Sequence, residues 1–192
     1  MTVYFDIDTQ IDFMFPTGAL YVPGAEDLVD TIGKLNQYGV ENGKVVSTMC
    51  AHSENDPEFQ EWPPHCVLGT TGQQKPAKTL IGKHVLVPPD AAVVNVADAK
   101  HVILQKRKLD LFTNPNIDSL LKALNADTYV VYGVVTEYCV QHAAFGLLNT
   151  GKPVQLVTDA IRSLNEAKSK EVIDRFQAQG GELTTVKELL AG

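Results

Sequence analysis

The chain has 192 residues, of which 44% are hydrophobic and 20% charged, and its formal net charge is −7. This length fits one compact α/β domain over residues 1–192 with an ample core. The negative charge argues against nucleic acid and anionic membranes as partners, and no apolar segment approaches the ~20 residues that a membrane span needs. Three cysteines predict free thiols in the cytoplasm rather than a disulfide framework.

The first half of the chain alternates between strand and helix patterns. Residues 2–8 form an apolar run that ends in acids, residues 26–38 have the spacing of an amphipathic helix, and residues 43–49 resemble a second strand. Because a carboxylate is unfavourable inside a strand, Asp8 should lie at a strand end. Residues 50–75 form a long polar segment, and a loop of that length in a small domain is usually functional.

The second half repeats this alternation. The predicted strands cover residues 85–89, 100–105, 128–133, 153–157 and 183–186, and the predicted helices cover residues 117–124, 140–148 and 165–179 with a short helix at the end. Asn116 is a candidate helix cap. The pattern predicts a three-layer α/β fold with an open, mostly parallel sheet and helices on both faces. No Gly-x-Gly-x-x-Gly turn follows the first strand, which argues against dinucleotide binding.

The stretch from Gly133 to Val140 is where we expect the chemistry of this protein. A β-branched and aromatic run ends at Gly133, and apolar residues recur at helical spacing from Val140 onwards. Cys139 therefore lies where a strand becomes a helix, and the N–H groups of a helix start favour a thiolate. The alternative is a buried structural cysteine, which is the commoner fate of a lone thiol.

Three predicted strands end in chemically useful residues, namely Asp8, Lys106 and Cys139. The carboxyl ends of neighbouring parallel strands line one crevice, so these side chains could meet there. Lys106 would favour the thiolate, and Asp8 could accept the thiol proton and pass it to a leaving amine. The alternatives are a solvated Lys-Arg-Lys run for Lys106 and a loop or cap carboxylate for Asp8.

Several motifs of the chain, in order, resemble those of one known family. They are Asp8 to Phe13, Gly18 to Gly24, Trp62 to Gly72, Lys106 with Phe112, Gly133 to Cys139, and Thr158 to Ala160. On these motifs the chain resembles the cysteine-hydrolase branch of the isochorismatase-like superfamily, and most closely the nicotinamidases (pyrazinamidases). Each motif alone is weak, but together they span nearly the whole chain.

The resemblance implies a fold, an activity and a catalytic triad. The implied fold is the isochorismatase-like, Rossmann-like arrangement of a three-layer α/β protein. The implied activity is hydrolysis of a small planar amide such as nicotinamide, with Cys139 as nucleophile assisted by Asp8 and Lys106. The reaction would pass through a thioester and release ammonia. Relatives commonly assemble, so the resemblance also implies a homo-oligomer.

The resemblance further implies how the substrate would be held. A cis peptide between Val135 and Thr136 would turn the Thr136 N–H toward the Cys139 N–H and form an oxyanion hole. Phe13 and Trp62 match positions that flank the planar substrate ring in the family.

A divalent metal beside the triad is the remaining implied feature, with zinc expected first and manganese or iron as alternatives. His52 and His65 match the two family histidines. The third ligand is open between Asp56 and Glu58. Cys50 stands where the family has aspartate, and it could be a soft fourth ligand or an inert thiol.

Two other functions are compatible with the same fold. An isochorismatase-type hydrolase of a vinyl ether does not need a thiol, so Cys139 counts against it. A non-catalytic relative that binds a small ligand would explain the altered position Cys50, but not the retention of Asp8 and Lys106 beside Cys139.

Overall fold

The computed structural model describes residues 1–191, which form a seven-stranded, fully parallel sheet with helices on both faces. The strands are β1 Thr2–Ile7, β2 Gly43–Cys50, β3 His84–Val87, β4 His101–Lys106, β5 Thr128–Val134, β6 Val154–Arg162 and β7 Glu182–Thr184, in the order β3-β4-β2-β1-β5-β6-β7. The helices are α1 Ile11–Met14, α2 Val29–Asn42, α3 Ile117–Leu124, α4 Gln141–Leu148, α5 Glu166–Ala178 and α6 Val186–Ala191.

The predicted fold class is confirmed, and the alternation of elements follows the expected order. That residues 1–192 form a single domain stays a prediction. β6 continues to Arg162, beyond the predicted 153–157, because its far end pairs with β5 again after an irregularity in register. Asn116 precedes α3 but does not cap it, because its side-chain oxygen accepts from the Ala92 N–H at 2.8 Å instead.

The two faces of the sheet are covered by separate sets of helices. One apolar cluster joins α3, α4 and α5 to the sheet through residues such as Leu120, Ala143 and Phe176. The other joins α2 and α6 to the opposite face through residues such as Ile32 and Leu35. Burial of both faces explains the nearly continuous apolar runs of the central strands, as expected for a parallel sheet.

The central strands bring the chemically useful residues to one edge. β1 lies between β2 and β5, and β4 lies beside β2. In the strand register Cys50 is opposite Lys106, and Ile7 is opposite Gly133. Asp8 follows Ile7 directly, so the three strand ends form one group at the carboxyl edge, where ligands bind in open α/β sheets.

The long segment after β2 covers this edge. It contains the 3₁₀ turns Pro57–Gln60 and Ala77–Thr79. The segment is tied to the start of α1 by hydrogen bonds from the Ile11 N–H to the Gln74 carbonyl and from the Asp12 N–H to the Gly72 carbonyl, at 2.8 and 3.0 Å.

Within residues 1–191 no helix is long and apolar enough to cross a membrane.

Candidate active site

Asp8, Lys106 and Cys139 meet at the carboxyl edge of the sheet. Lys106 Nζ lies 2.8 Å from Asp8 Oδ2 and 3.5 Å from Cys139 Sγ. All three side chains are buried, Asp8 and Lys106 to 1% exposure. The structure therefore brings together the carboxylate, ammonium and thiol that the sequence placed at three strand ends.

Lys106 is held as a cation inside the protein. Its ammonium also donates to the Lys108 carbonyl at 2.9 Å and approaches Cys50 Sγ at 3.5 Å. Burial disfavours the charge, but the Asp8 carboxylate outweighs it and raises the pKa of Lys106 well above its usual value. Lys106 is therefore not part of a solvated basic run.

The Cys139 thiol is protonated in this environment, contrary to the thiolate that its position predicted. Burial is the main cause that raises the pKa of Cys139 well above its usual value, and it outweighs the lowering effect of Lys106. A protonated thiol needs a base before it can act as a nucleophile, and the Asp8 carboxylate is in contact with the same ammonium.

The turn that carries Cys139 is preceded by a cis peptide bond, but not at the predicted position. The cis peptide lies between Val134 and Val135, so the predicted position between Val135 and Thr136 is wrong by one bond. The turn Thr136–Val140 then starts after Val135, and the Thr136 hydroxyl donates to the Arg162 carbonyl at 3.0 Å. The oxyanion-hole assignment of the Thr136 and Cys139 N–H groups stays a prediction.

Gly133 is required at the end of β5 by close contact with β1. Its φ is +117°, and a Cβ at this position would lie 2.3 Å from the Ile7 carbonyl oxygen. Only glycine fits there, so β1 and β5 can lie close together at the point where Asp8 and Cys139 leave the sheet.

A pocket of about 470 Å³, measured out to its open mouth, leads to Cys139. It is lined by Phe13, Leu20, Val22, Cys50, Glu58, Trp62, His65, Leu109, Val135, Tyr138, Cys139 and Leu164. Phe13 and Trp62 were expected there. Trp62 meets Tyr138 edge to face, with ring centroids 5.6 Å apart.

Most of the apolar pocket wall was missed by sequence reasoning. Leu20, Val22, Leu109 and Leu164 come from three separate connections. Leu20 and Val22 lie in the motif from Gly18 to Gly24, but nothing in the local sequence of the four residues marks their side chains as pocket wall. Tyr138 could have been found, because it directly precedes the expected nucleophile.

His52, Glu58 and His65 form a group that could hold a metal ion, with one donor atom from each lying within 4.8 Å of the others. Pro63 O can only accept, so His65 Nδ1 donates to it at 2.9 Å and His65 Nε2 keeps a free lone pair. His52 Nε2 is buried without a hydrogen-bond partner. Two imidazole nitrogens and one carboxylate form a donor set that zinc accepts, so these residues fit a divalent ion.

Asp56 and Cys50 are not part of this group of donors. Asp56 Oδ2 lies 3.1 Å from His52 Nδ1, on the side of the ring away from the free nitrogen. Cys50 Sγ instead lies beside Lys106, and burial raises the pKa of this thiol to about 12. Of the two open candidates for the third ligand, the structure places Glu58 with the histidines and Asp56 behind His52.

Asp12 joins the two sides of the pocket. Its carboxylate accepts from the Ala19 N–H at 3.0 Å and from the Cys66 N–H at 2.6 Å. It thereby fixes the segment that carries Phe13 and Leu20 against the segment that carries His65. Cys66 itself is fully buried and outside the pocket, in agreement with a structural role.

Comparison with known proteins agrees with this arrangement. The family model described as Isochorismatase domain matches residues 82–188, more than half of the chain. The chain belongs to the isochorismatase domain family. The family resemblance predicted from the motifs is thereby confirmed.

Relatives and solved structures extend the match over nearly the whole chain. Nicotinamidase from Saccharomyces cerevisiae is 26% identical, and the alignment covers 90% of this chain and 92% of that protein. Pyrazinamidase/nicotinamidase from Streptococcus mutans superposes with a TM-score of 0.81 at 25% identity, covering 96% of this chain and 100% of the other. Pyrazinamidase from Pyrococcus horikoshii in complex with zinc gives a TM-score of 0.79 at 24% identity, covering 96% and 98%.

Proposed function

We propose that this protein hydrolyses a small, planar, neutral amide of the nicotinamide type, through a thioester on Cys139. The observation that carries the proposal is the Lys106 ammonium, which lies 2.8 Å from the Asp8 carboxylate and 3.5 Å from the thiol of Cys139. Of these three residues, Cys139 lines the pocket. Similarity to nicotinamidase over 90% of the chain supports the same reaction class.

The first half of the reaction removes ammonia. Asp8 takes the thiol proton while Cys139 Sγ bonds to the amide carbonyl carbon, and the carbonyl oxygen becomes an oxyanion. Main-chain N–H groups of the turn stabilise this oxyanion, with Thr136 and Cys139 as the candidates. Asp8 then gives the proton to the amide nitrogen, the C–N bond breaks, and ammonia leaves a thioester behind.

The second half restores the enzyme. Water attacks the thioester carbonyl carbon and gives one proton to Asp8. The C–S bond breaks, the carboxylic acid leaves, and Asp8 returns its proton to the thiolate. Lys106 stays charged throughout and stabilises each anion that forms beside it, first on sulfur and then on Asp8.

The pocket wall favours a neutral aromatic substrate. Phe13, Trp62 and Tyr138 offer ring faces or edges, and the remaining wall residues are mostly aliphatic. Among the lining residues no arginine or lysine faces a substrate carboxylate, so a dianionic substrate such as isochorismate would be poorly bound.

His52, Glu58 and His65 are the residues that would hold a divalent metal, for which zinc is our first candidate. Such an ion would act as a Lewis acid that fixes a ring nitrogen or a water near the pocket. Asp56 would orient His52 from the opposite ring nitrogen.

The reaction is tested by ammonia release from a panel of amides, starting with nicotinamide, with and without added zinc, manganese or iron. We expect turnover that is lost in Cys139→Ser and retained in Cys66→Ala, a matched buried thiol outside the pocket. With hydroxylamine in place of water as acceptor, the thioester should yield the hydroxamic acid.

Two outcomes would contradict the proposal. No ammonia from any amide with metal-loaded protein would exclude the reaction. Pyruvate release from isochorismate that survives Cys139→Ser would instead favour vinyl-ether hydrolysis.

The metal site is tested by zinc titration of the purified protein. His52→Ala, Glu58→Gln and His65→Ala should each lower zinc affinity, whereas Glu61→Gln, a nearby exposed carboxylate, should not. Asp56→Asn should weaken zinc binding by about 10- to 100-fold, as for other partners of a metal-bound histidine. Unchanged zinc binding in His52→Ala would show that these residues are not the ligands.

We infer a cytoplasmic location, since Cys50, Cys66 and Cys139 are all free. The predicted homo-oligomer is tested by light scattering of the purified protein.

A further inference from the structure

Thr48 on β2 makes two hydrogen bonds to Asp8. Its hydroxyl accepts the Asp8 main-chain N–H at 3.0 Å and donates to Asp8 Oδ1 at 2.6 Å. A threonine hydroxyl has one proton, which is donated to Oδ1, and lone pairs, one of which accepts the N–H. Both hydrogen bonds can therefore form at the same time. Thr48 is fully buried.

Asp8 needs such support because its backbone is unusual. It leaves β1 with φ of +48°, in the left-handed region that non-glycine residues rarely adopt. The Thr48 hydroxyl joins the N–H and the carboxylate of the same residue, and thereby fixes the side-chain torsions relative to the main chain.

The two carboxylate oxygens of Asp8 consequently have different surroundings. Oδ1 is occupied by Thr48, whereas Oδ2 faces the Lys106 ammonium and has no other hydrogen bond. The ionisable groups around this carboxylate are Lys106 on β4, Cys139 on the nucleophile turn and Cys50 at the end of β2.

We propose that Thr48 is a positioning residue for the amide hydrolysis, which keeps Oδ2 of Asp8 directed at Lys106 and Cys139 as the proton acceptor. This inference rests on the proposed function. Thr48 does not contact the substrate in this proposal. Loss of its hydroxyl should therefore slow the proton transfer and leave substrate binding unchanged.

The test compares Thr48→Val, which has the same shape without the hydroxyl, with Thr48→Ser, which keeps it. In Thr48→Val we expect kcat to fall by about 10- to 100-fold, the cost of one lost hydrogen bond to a charged group, with KM nearly unchanged. Thr48→Ser should restore kcat.

Ser47→Ala is the matched control. Ser47 is the buried neighbour of Thr48 on β2, but its hydroxyl donates to Asp6 and does not contact Asp8. Ser47→Ala should lower thermal stability without changing kcat or KM. An equal loss of kcat in Ser47→Ala, or an unchanged kcat in Thr48→Val, would overturn the proposal.

A second readout separates this inference from the proposed function. The rate at which iodoacetamide alkylates Cys139, followed by mass spectrometry, depends on the same proton transfer but needs no substrate. Alkylation at neutral pH should slow in Thr48→Val and recover in Thr48→Ser, even if no amide is hydrolysed. The same rate in all three proteins would overturn the role of Thr48, whatever the substrate.

Discussion

β1 carries two buried carboxylates that each pair with a lysine, and the two pairs differ in how completely they are hydrogen bonded. Asp6 Oδ2 lies 3.2 Å from Lys75 Nζ and also accepts from Asn36 and Ser47 at 3.0 and 2.8 Å. Asp6 Oδ1 accepts from Thr9 at 2.7 Å. Every oxygen of this carboxylate has a partner inside the protein.

The Asp8–Lys106 pair, two residues further along, is left partly open. Asp8 Oδ2 has only the ammonium as its partner, and that ammonium also faces the Cys139 thiol at the pocket floor. The Asp6 carboxylate accepts from three side chains in addition to Lys75, whereas Asp8 Oδ2 keeps a lone pair that can take up the proton of the nearby thiol. On the proposed function, the Asp6 pair is structural and the Asp8 pair is reactive.

The reactive pair is tested by Asp8→Asn, which keeps the shape and removes the base. We expect kcat for amide hydrolysis to fall by about 10³-fold, because the Cys139 thiol then has no proton acceptor. Steady-state ammonia release measures this loss. A kcat close to that of the unmutated protein would show that another group accepts the proton.

The structural pair is tested by the same substitution at Asp6. Asp6→Asn leaves Lys75 buried without its partner, and the free energy of unfolding should fall by about 3 kcal/mol. Urea denaturation measures this change. Folded Asp6→Asn should keep the kcat of the unmutated protein, and a loss as large as that of Asp8→Asn would remove the distinction between the pairs.

His101 makes the free energy of unfolding depend on pH through its hydrogen bond to the network around Asp6 and Lys75. The Ser47 hydroxyl uses its one proton on Asp6, so it must accept from His101 Nε2 at 2.8 Å, and the ring is neutral with its proton on Nε2. Burial is the main cause that lowers the pKa of His101 from 6.5 to about 4.

Acidification between pH 6.5 and about 4 should therefore destabilise the protein. Below pH 6.5 the unfolded chain takes up a proton at His101, which the folded chain takes up only near pH 4. The free energy of unfolding should fall over this range by about 2 kcal/mol. Urea midpoints measured with a metal chelator present should show this slope, and it should shrink in His101→Gln.

The smallest effect is expected at the outer edge of the same network. Tyr132 donates its hydroxyl proton to Asn36 Oδ1 at 2.6 Å, and Asn36 in turn donates to Asp6. Tyr132→Phe should lower the free energy of unfolding by about 1 kcal/mol, with kcat unchanged, because one buried acceptor loses its donor. Urea denaturation and ammonia release would measure both, and a large loss of kcat would contradict a purely structural network.

The reactive pair was predictable from sequence, but the structural pair was not. Asp8, Lys106 and Cys139 each end a strand with a clear apolar pattern, and parallel topology brings such ends together. Lys75 lies in the long segment with no periodic pattern, and no rule of spacing connects it to Asp6. Long-range pairing of this kind depends on how the loop folds back over the sheet.

Two finer features of the site could not be predicted from the sequence, because they depend on how the chain folds around the site. Whether Asp56 or Glu58 joins His52 depends on a single 3₁₀ turn, Pro57–Gln60, which turns the two carboxylates to different sides of the ring. The protonated state of Cys139 follows from how deeply it is buried, and helix-start geometry alone predicted the opposite.

The division between strand ends and connections has an evolutionary consequence. The proposed reacting groups Asp8, Lys106 and Cys139 are fixed by the ends of β1, β4 and β5, whereas the pocket wall residues Leu20, Leu109 and Leu164 lie in connections that tolerate sequence change. Loop substitutions can therefore alter the shape of the pocket, and with it the substrate preference, without moving the three strand ends.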